Sequence, residues 1–197
     1  MISDSDPDTE YDSRNNFKFI TLDEELNMYN KLIHIKIYKN NNYIGYIKGV
    51  ILCTDKLEHL SKEQIKEYIS YKDKEAEEEV QSFYEELSNR DLDNDNRLFY
   101  ITEFYIENKF RKNGYGSLIL NSLPNYLLES VSSNIEGIYL MPGPLEKVNG
   151  KVEYIYNSNN KKSIFLKEKL IKFYESNGFR RIGVLNFWYY TLQKYFL

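Results

Sequence analysis

The sequence predicts an α/β (α+β) domain, and three observations carry that prediction. Ile33, Ile35 and Ile37 alternate with polar neighbours, turn at Asn40, Asn41 and Asn42, and return through Tyr43 to Cys53, which reads as a β-hairpin over residues 33–54. The aromatic and β-branched run from Leu98 to Ile106 passes through a turn with two glycines into Leu118, Leu120, Leu123, Leu127, Leu128 and Val131, spaced for one helix face. A second helical pattern, Ile164 to Asn177, stops at Gly178 and is followed by the aromatic-rich run Asn186 to Leu192, a last strand. At 197 residues the chain fits one domain with one core.

From the N-terminus, residues 1–16 carry Asp4, Asp6, Asp8, Glu10 and Asp12 with little apolar content and read as a disordered acidic tail, with the folded domain over 17–197. Phe17 to Ile20 suits a short strand, and Leu22 to Leu32 a short helix or an irregular crossover. Within the hairpin, Gly45 and Gly49 mark a bulge. A helical segment spans 61–89: Ser61 and Gln64 form a capping box, Leu60 and Ile65 a hydrophobic staple, and Ile65, Ile69, Ala76, Val80, Phe83 and Leu87 an apolar stripe. The run Glu75, Glu77, Glu78 and Glu79 is its solvated face. After the strand Ile135 to Leu140, the segment Met141-Pro142-Gly143-Pro144 must stop pairing. Asn149-Gly150 between β-formers then signals a tight hairpin, a β-arm over 145–156. The residues leave open whether this arm is a lid, a purely structural arm or a homodimer contact.

Composition narrows the function classes. The formal net charge of -4 argues against a nucleic-acid-binding face and is compatible with a cationic partner. The one cysteine, Cys53, permits no internal disulfide and suits a buried thiol at a strand end in a reducing, cytoplasmic setting. Only His34 and His59 are present, in no metal-ligand spacing, so no metal is expected; His34, alternating with Ile33 and Ile35, is expected to face solvent. No stretch is apolar enough to span a membrane, and no signal peptide is seen.

The turn Arg111-Lys112-Asn113-Gly114-Tyr115-Gly116 carries most of the chemistry. A strand, two glycines and a helix start make an anion site, because the first helical N–H groups are unpaired and glycine lets backbone approach a ligand. The alternative is that the glycines only permit tight strand–helix packing. The third glycine of a dinucleotide fingerprint is absent, with Ile119 in its place, and no lysine-serine or lysine-threonine pair follows as in a Walker loop. The turn resembles the acyl-CoA loop of the GNAT (general N-acetyltransferase) superfamily, V-x-P-x-Y-R-x-x-G-x-G. Ile106, Phe110, Arg111, Gly114 and Gly116 match it, while Asn108 replaces the proline. Leu170 to Phe179, with Phe173-Tyr174-Glu175 and Gly178-Phe179, is similar to the family's helix-ending "FYEKLGF" block, and the likeness covers residues 98–192.

That resemblance implies a mixed, mostly antiparallel central sheet flanked by helices, and acetyl-CoA as co-substrate for acetylation of an amine by direct attack in a ternary complex. It implies that the backbone of Phe104, Tyr105 and Ile106 holds the acetyl and pantetheine arm. Arg111, Lys112, Asn113, Gly114, Tyr115, Gly116 and Ser117 would cradle the diphosphate, and Tyr174 would be the general acid, a core aromatic being the alternative. Glu103, a carboxylate within an apolar strand, suits a base or acceptor-binding group, or equally a salt bridge inside the sheet. The acceptor would be a small-molecule or protein amine, cationic by this reasoning. The chain departs from the family in two ways: the 61–89 helix separates the hairpin from the central strand, and Lys167 stands where an asparagine is usual. The second departure favours the rival reading, a non-catalytic CoA-sensing or protein-interaction domain. A longer acyl-CoA also stays open.

Overall fold

Alternating isoleucines and aromatics set the middle of the sheet. The computed structural model of the chain describes residues 9–12, 17–27, 30–53, 97–155, 161–182 and 188–192. Its strands are β1 (Thr9–Asp12), β2 (Phe17–Asn27), β3 (Asn30–Lys39), β4 (Asn42–Cys53), β5 (Arg97–Ile106), β6 (Ile135–Leu140), β7 (Leu145–Val148), β8 (Lys151–Tyr154), β9 (Arg180–Arg181) and β10 (Trp188–Thr191). The helices among these residues are α1 (Tyr115–Tyr126), continued by a π-helical turn Leu127–Val131, and α2 (Lys161–Ser176).

Eight strands form one sheet in the order β1-β2-β3-β4-β5-β6-β10-β9, and β7 and β8 form a separate two-stranded arm. Every neighbouring pair is antiparallel except β5 and β6, which run parallel. This is the mixed, mostly antiparallel sheet with helices that was expected. The hairpin β3–β4 is integral to it, since β4 pairs with β5 from Gly45 to Cys53, so the central strands form a meander despite the long segment between them in sequence. Ile33, Ile35, Ile37, Ile47 and Phe99 are fully buried and join Ile119, Leu123 and Leu127 in one core. Each such side chain contributes roughly 1.5–3 kcal/mol of transfer free energy.

Glycines set two irregularities in β4, as expected. Register shifts fall beside Gly45 and Gly49, and a Cβ on Gly49 would stand 2.6 Å from the carbonyl of Tyr100. At that distance no side chain is accommodated, so β4 can approach β5 only through glycine.

Several expectations need correcting. Thr9–Asp12, placed in the disordered tail, pair with Phe17–Ile20 as β1; backbone pairing to an open edge does not require apolar side chains, which is why the composition concealed it. The described part of Leu22 to Leu32, residues 22–27 and 30–32, is strand rather than helix or crossover. It belongs to β2 and β3, which pair antiparallel in a register from Phe17↔Lys39 to Asn27↔Asn30. His34 is half-buried against the ring of Tyr46, with centroids 5.4 Å apart, because the polar face of β3 is also covered by aromatics. The last strand is described over Trp188–Thr191, stops before Leu192 and is joined at the edge by β9, while Asn186 and Phe187 lie outside the described residues. The remaining acidic-tail residues, the 61–89 helix, His59 and the side chain of Cys53 lie outside the described residues.

Candidate active site

The parallel pair β5–β6 opens a cleft because β6 is the shorter strand. Pairing runs from Arg97↔Ile135 to Ile101↔Leu140 and ends there. Beyond Leu140 the chain enters Met141-Pro142-Gly143-Pro144, where two residues have no N–H to offer. β5 meanwhile continues to Ile106, still paired with β4 as far as Gly45↔Ile106. A bulge at Thr102, between the pairs Gly49↔Ile101 and Lys48↔Glu103, bends β5 where the strands part.

The carbonyl of Tyr105 points at β4, where it closely approaches Gly45. By the two-residue period of a strand, Phe104 and Ile106 direct their backbone groups the other way, into the cleft. The Ile106 carbonyl accepts a hydrogen bond from Arg111 Nε at 2.7 Å, and the Thr102 carbonyl accepts one from the Tyr154 hydroxyl. Between them lie the N–H and C=O of Phe104 and the N–H of Ile106. The exposed edge from Thr102 to Ile106 is roughly 13 Å long at ~3.3 Å per residue.

A cavity of about 360 Å³ fills the gap. Phe104, Ile106 and Arg111 form one wall; Gly143, Pro144, Leu145 and Ile155, at the base of the arm, form the second. The third is α2, through Leu166, Leu170, Phe173 and Tyr174. Lys162 and Lys169 stand at its rim; Lys162 lies 3.7 Å from Glu146, an exposed pair of little energetic weight. The walls are largely apolar, and the net positive rim contrasts with the negative charge of the whole chain.

The turn after β5 closes the outer end. A single 3-10 turn, Asn108–Phe110, leads to Lys112 at φ 64° and Gly114 at φ 75°. α1 starts at Tyr115 with no side-chain cap, and its first bond is Leu118 N–H to the Gly114 carbonyl. The N–H groups of Tyr115, Gly116 and Ser117 therefore have no acceptor within the helix and can meet an anion. The two glycines have different causes. A Cβ on Gly114 would meet nothing within 4 Å, so the left-handed backbone is what requires glycine there, and the space beside it is free. A Cβ on Gly116 would stand 2.9 Å from Cζ of Phe173, so Gly116 lets α1 pack on α2. For Gly116 this contact supplies the packing reason for glycine, beside an N–H left open at the helix start.

Of the expected site residues, Phe104, Ile106, Arg111 and Tyr174 are brought together around the cavity. Lys112, Asn113, Gly114, Tyr115, Gly116 and Ser117 form the turn at its mouth, with the Tyr115 ring directed to Phe17 at 6.0 Å. Tyr174 is 7% exposed and packs edge-on to Phe173 and Phe179. Burial raises its phenol pKa above the ordinary value, which keeps it a proton donor through neutral pH.

Glu103 and Tyr105 lie on the opposite face of β5, in register with Lys48 and Tyr46. The Glu103 carboxylate accepts bonds from Lys48 Nζ at 2.9 Å and from the Tyr46 hydroxyl at 2.5 Å. This is the salt bridge inside the sheet that was one of the two expectations for it. Desolvation first, and the hydrogen bond to Glu103 second, raise the Tyr46 pKa, so that hydroxyl stays the donor. Tyr105 is 1% exposed, with the Arg111 guanidinium 5.1 Å over its ring.

Residues on the arm and on α2 were missed. Leu166, Leu170 and Phe173 recur at helical spacing and could have been read as a face turned to a cleft, but the same pattern describes a core face. Tyr154 carries no sequence signal beyond its place in the arm. No group of three or more histidine, cysteine or carboxylate residues that could hold a metal occurs among the described residues, and no helix among them is long and apolar enough to cross a membrane.

No family model matches the chain, and no curated protein matches it. Similar solved structures include Arabidopsis thaliana NAA60 in complex with acetyl-CoA, at 15% identity over 81% of this chain and 76% of that one, TM-score 0.39. A mutant of the toxin AtaT bound to the C-terminus of the antitoxin AtaR and acetyl-CoA is 12% identical over 82% and 67%, TM-score 0.38. AtaTR bound with acetyl-CoA is 13% identical over 82% and 70%, TM-score 0.38. The likeness is loose at this level, so the chemistry of the cleft follows from its own residues.

Proposed function

We propose that this chain is an acetyl-CoA-dependent N-acetyltransferase that acetylates an amine by direct attack in a ternary complex. The observation that carries the reading is the unpaired edge of β5. The Phe104 peptide faces a cavity with an uncapped helix start and Arg111 at one end and a buried tyrosine in its wall. A strand edge that turns the Phe104 N–H and C=O and the Ile106 N–H to the cleft is suited to an extended amide-bearing chain. A helix start flanked by Lys109, Arg111 and Lys112 suits a diphosphate. The largely apolar walls suit the thin arm between these two features.

Acetyl-CoA would supply an activated acyl group as a thioester. The acceptor nitrogen forms a bond to the acyl carbon as the carbon–sulfur bond breaks. The Tyr174 hydroxyl donates its proton to the departing sulfur, and the nitrogen gives up a proton to a base. The Phe104 N–H is the donor placed to stabilise the developing oxyanion. Glu103, across β5 from the cavity, serves as that base, through water, if the acceptor arrives from the Tyr46 face. An amine of a small molecule or of a protein meets these requirements, and a cationic one would be attracted by Glu103.

The test is release of free thiol from acetyl-CoA across a panel of amines, with acetyl-CoA binding measured separately by calorimetry. Binding with turnover on one amine class supports the enzyme. Binding with no turnover on any amine would instead favour the CoA-sensing reading, for which Lys167 at the family's asparagine position speaks.

A further inference from the structure

The arm does more than flank the cleft. β7 and β8 turn at Asn149 (φ 51°) and Gly150 (φ 84°), and the arm is pinned at three places. At its base, the Ile155 N–H donates to the Pro144 carbonyl at 2.9 Å, and the buried Ser163 hydroxyl donates to the Ile155 carbonyl at 3.2 Å. Along its side, Lys147 Nζ meets Glu107 at 2.9 Å. At the inner end, the Tyr154 hydroxyl donates to the Thr102 carbonyl. Bonds at the base, side and inner end make the arm a fixed wall rather than a loose flap.

The position of Tyr154 matters most. Thr102 is the first β5 residue past the last β6 pair, Ile101↔Leu140. Tyr154 therefore takes the backbone acceptor that β6 leaves free, at the vertex where the strands part. One edge of its ring lies against Gly143: a Cβ there would stand 2.8 Å from Cε1 and 2.9 Å from Cδ1. The ring thus stands directly behind Gly143, which lines the cavity, at the inner end of the open β5 edge. The opposite, outer end holds the helix start and Arg111. A ligand anchored there by its phosphates and extended along β5 must carry its acyl end towards Tyr154.

We propose that Tyr154 sets the length of the acyl chain the cleft admits, restricting it to short acyl groups. This rests on the acyl-CoA reading above. Short groups end before the ring, whereas a chain of eight carbons would have to displace the ring and break its bond to Thr102.

The experiment is calorimetric binding of acetyl-CoA and octanoyl-CoA to the full chain, which needs no acceptor. Wild type should bind acetyl-CoA at least about tenfold more tightly than octanoyl-CoA, and Tyr154→Ala should reduce that ratio at least about tenfold. Tyr154→Leu, which keeps an apolar contact on Gly143 in case alanine prevents folding, should reduce it in the same direction. Tyr154→Phe retains the ring and should keep acetyl selectivity. An unchanged ratio in a folded alanine or leucine variant, or a wild type without preference, overturns the proposal while leaving acyl-CoA binding intact. A wild type that binds neither thioester overturns this proposal and the functional reading together.

Discussion

β5 is one strand with two halves. From Arg97 to Ile101 it has β4 on one side and β6 on the other, and four of those five residues are buried. From Thr102 to Ile106 it keeps β4 but loses β6, and most of its residues are only half-buried. The side chains do not explain the difference, since both halves are aromatic and β-branched. The neighbours do: β6 ends at Leu140, and Pro142 and Pro144 cannot restart the ladder. A strand half becomes a site when its partner stops first, because its backbone groups then need another occupant.

The largest expected effect separates the halves by stability. Phe99 is fully buried in the paired half, so Phe99→Ala should cost about 3–5 kcal/mol in denaturant-induced unfolding. Phe104, half-buried on the same face, should cost less than half as much when changed to alanine, while acetyl-CoA binding weakens. Equal stability losses would remove the distinction between the halves.

Next comes chemistry in the cleft. Tyr174→Phe should lower turnover by about 100-fold with little change in acetyl-CoA affinity, as for loss of one general acid. Because burial raises the phenol pKa, any loss of rate caused by Tyr174 ionisation should begin above pH ~10, its ordinary value. Linkage has the same sign: the folded value exceeds the unfolded one, so the neutral phenol's contribution holds below the ordinary value and fades as pH rises through the folded one. Unchanged turnover would return Tyr174 to a core role with Phe173 and Phe179.

The turn itself can be divided. Gly114→Val forces a β-branched residue into left-handed backbone beside open space and should weaken CoA binding at least about tenfold in calorimetry. Gly116→Val meets Phe173 and should show first as a lower melting temperature. If both variants lost affinity without loss of stability, Gly116 would regain a place at the ligand.

How much of this was legible follows from which forces left a mark in the sequence. The β3–β4 hairpin was readable because burial of Ile33, Ile35 and Ile37 imposes alternation, and α2 ended at Gly178 because its φ of 86° excludes most residues. The short extent of β6 was readable from its prolines. The strand Thr9–Asp12 was not, because a ladder of backbone bonds leaves no preference in the side chains. Gly114 and Gly116 looked alike in sequence, since a glycine kept for φ and one kept for a neighbouring helix leave the same letter. Tyr154 was invisible because its partner is a carbonyl, which any residue supplies.

The smallest expected effect concerns the face of β5 turned away from the cavity. Glu103 is held by Lys48 and Tyr46, and both carboxylate oxygens are engaged. The carboxylate is 23% exposed and Lys48 36%, so the ion pair is worth about 1 kcal/mol or less. Glu103→Gln keeps the shape and removes the charge. A purely structural Glu103 predicts a melting temperature lowered by a few degrees, with the pH–rate profile of the folded enzyme unchanged. The Tyr46 pKa should fall in that variant yet stay above its ordinary value, because desolvation is the larger cause of its elevation and remains. A Glu103 that receives the acceptor predicts more: a rate loss of a few-fold to tenfold, greatest for cationic amines near neutral pH and partly restored as pH approaches the amine's own pKa. Thermal unfolding and the pH–rate profile of this one variant therefore decide which side of β5 the acceptor uses. An unshifted profile would confine the chemistry to the cavity side and remove Glu103 from it.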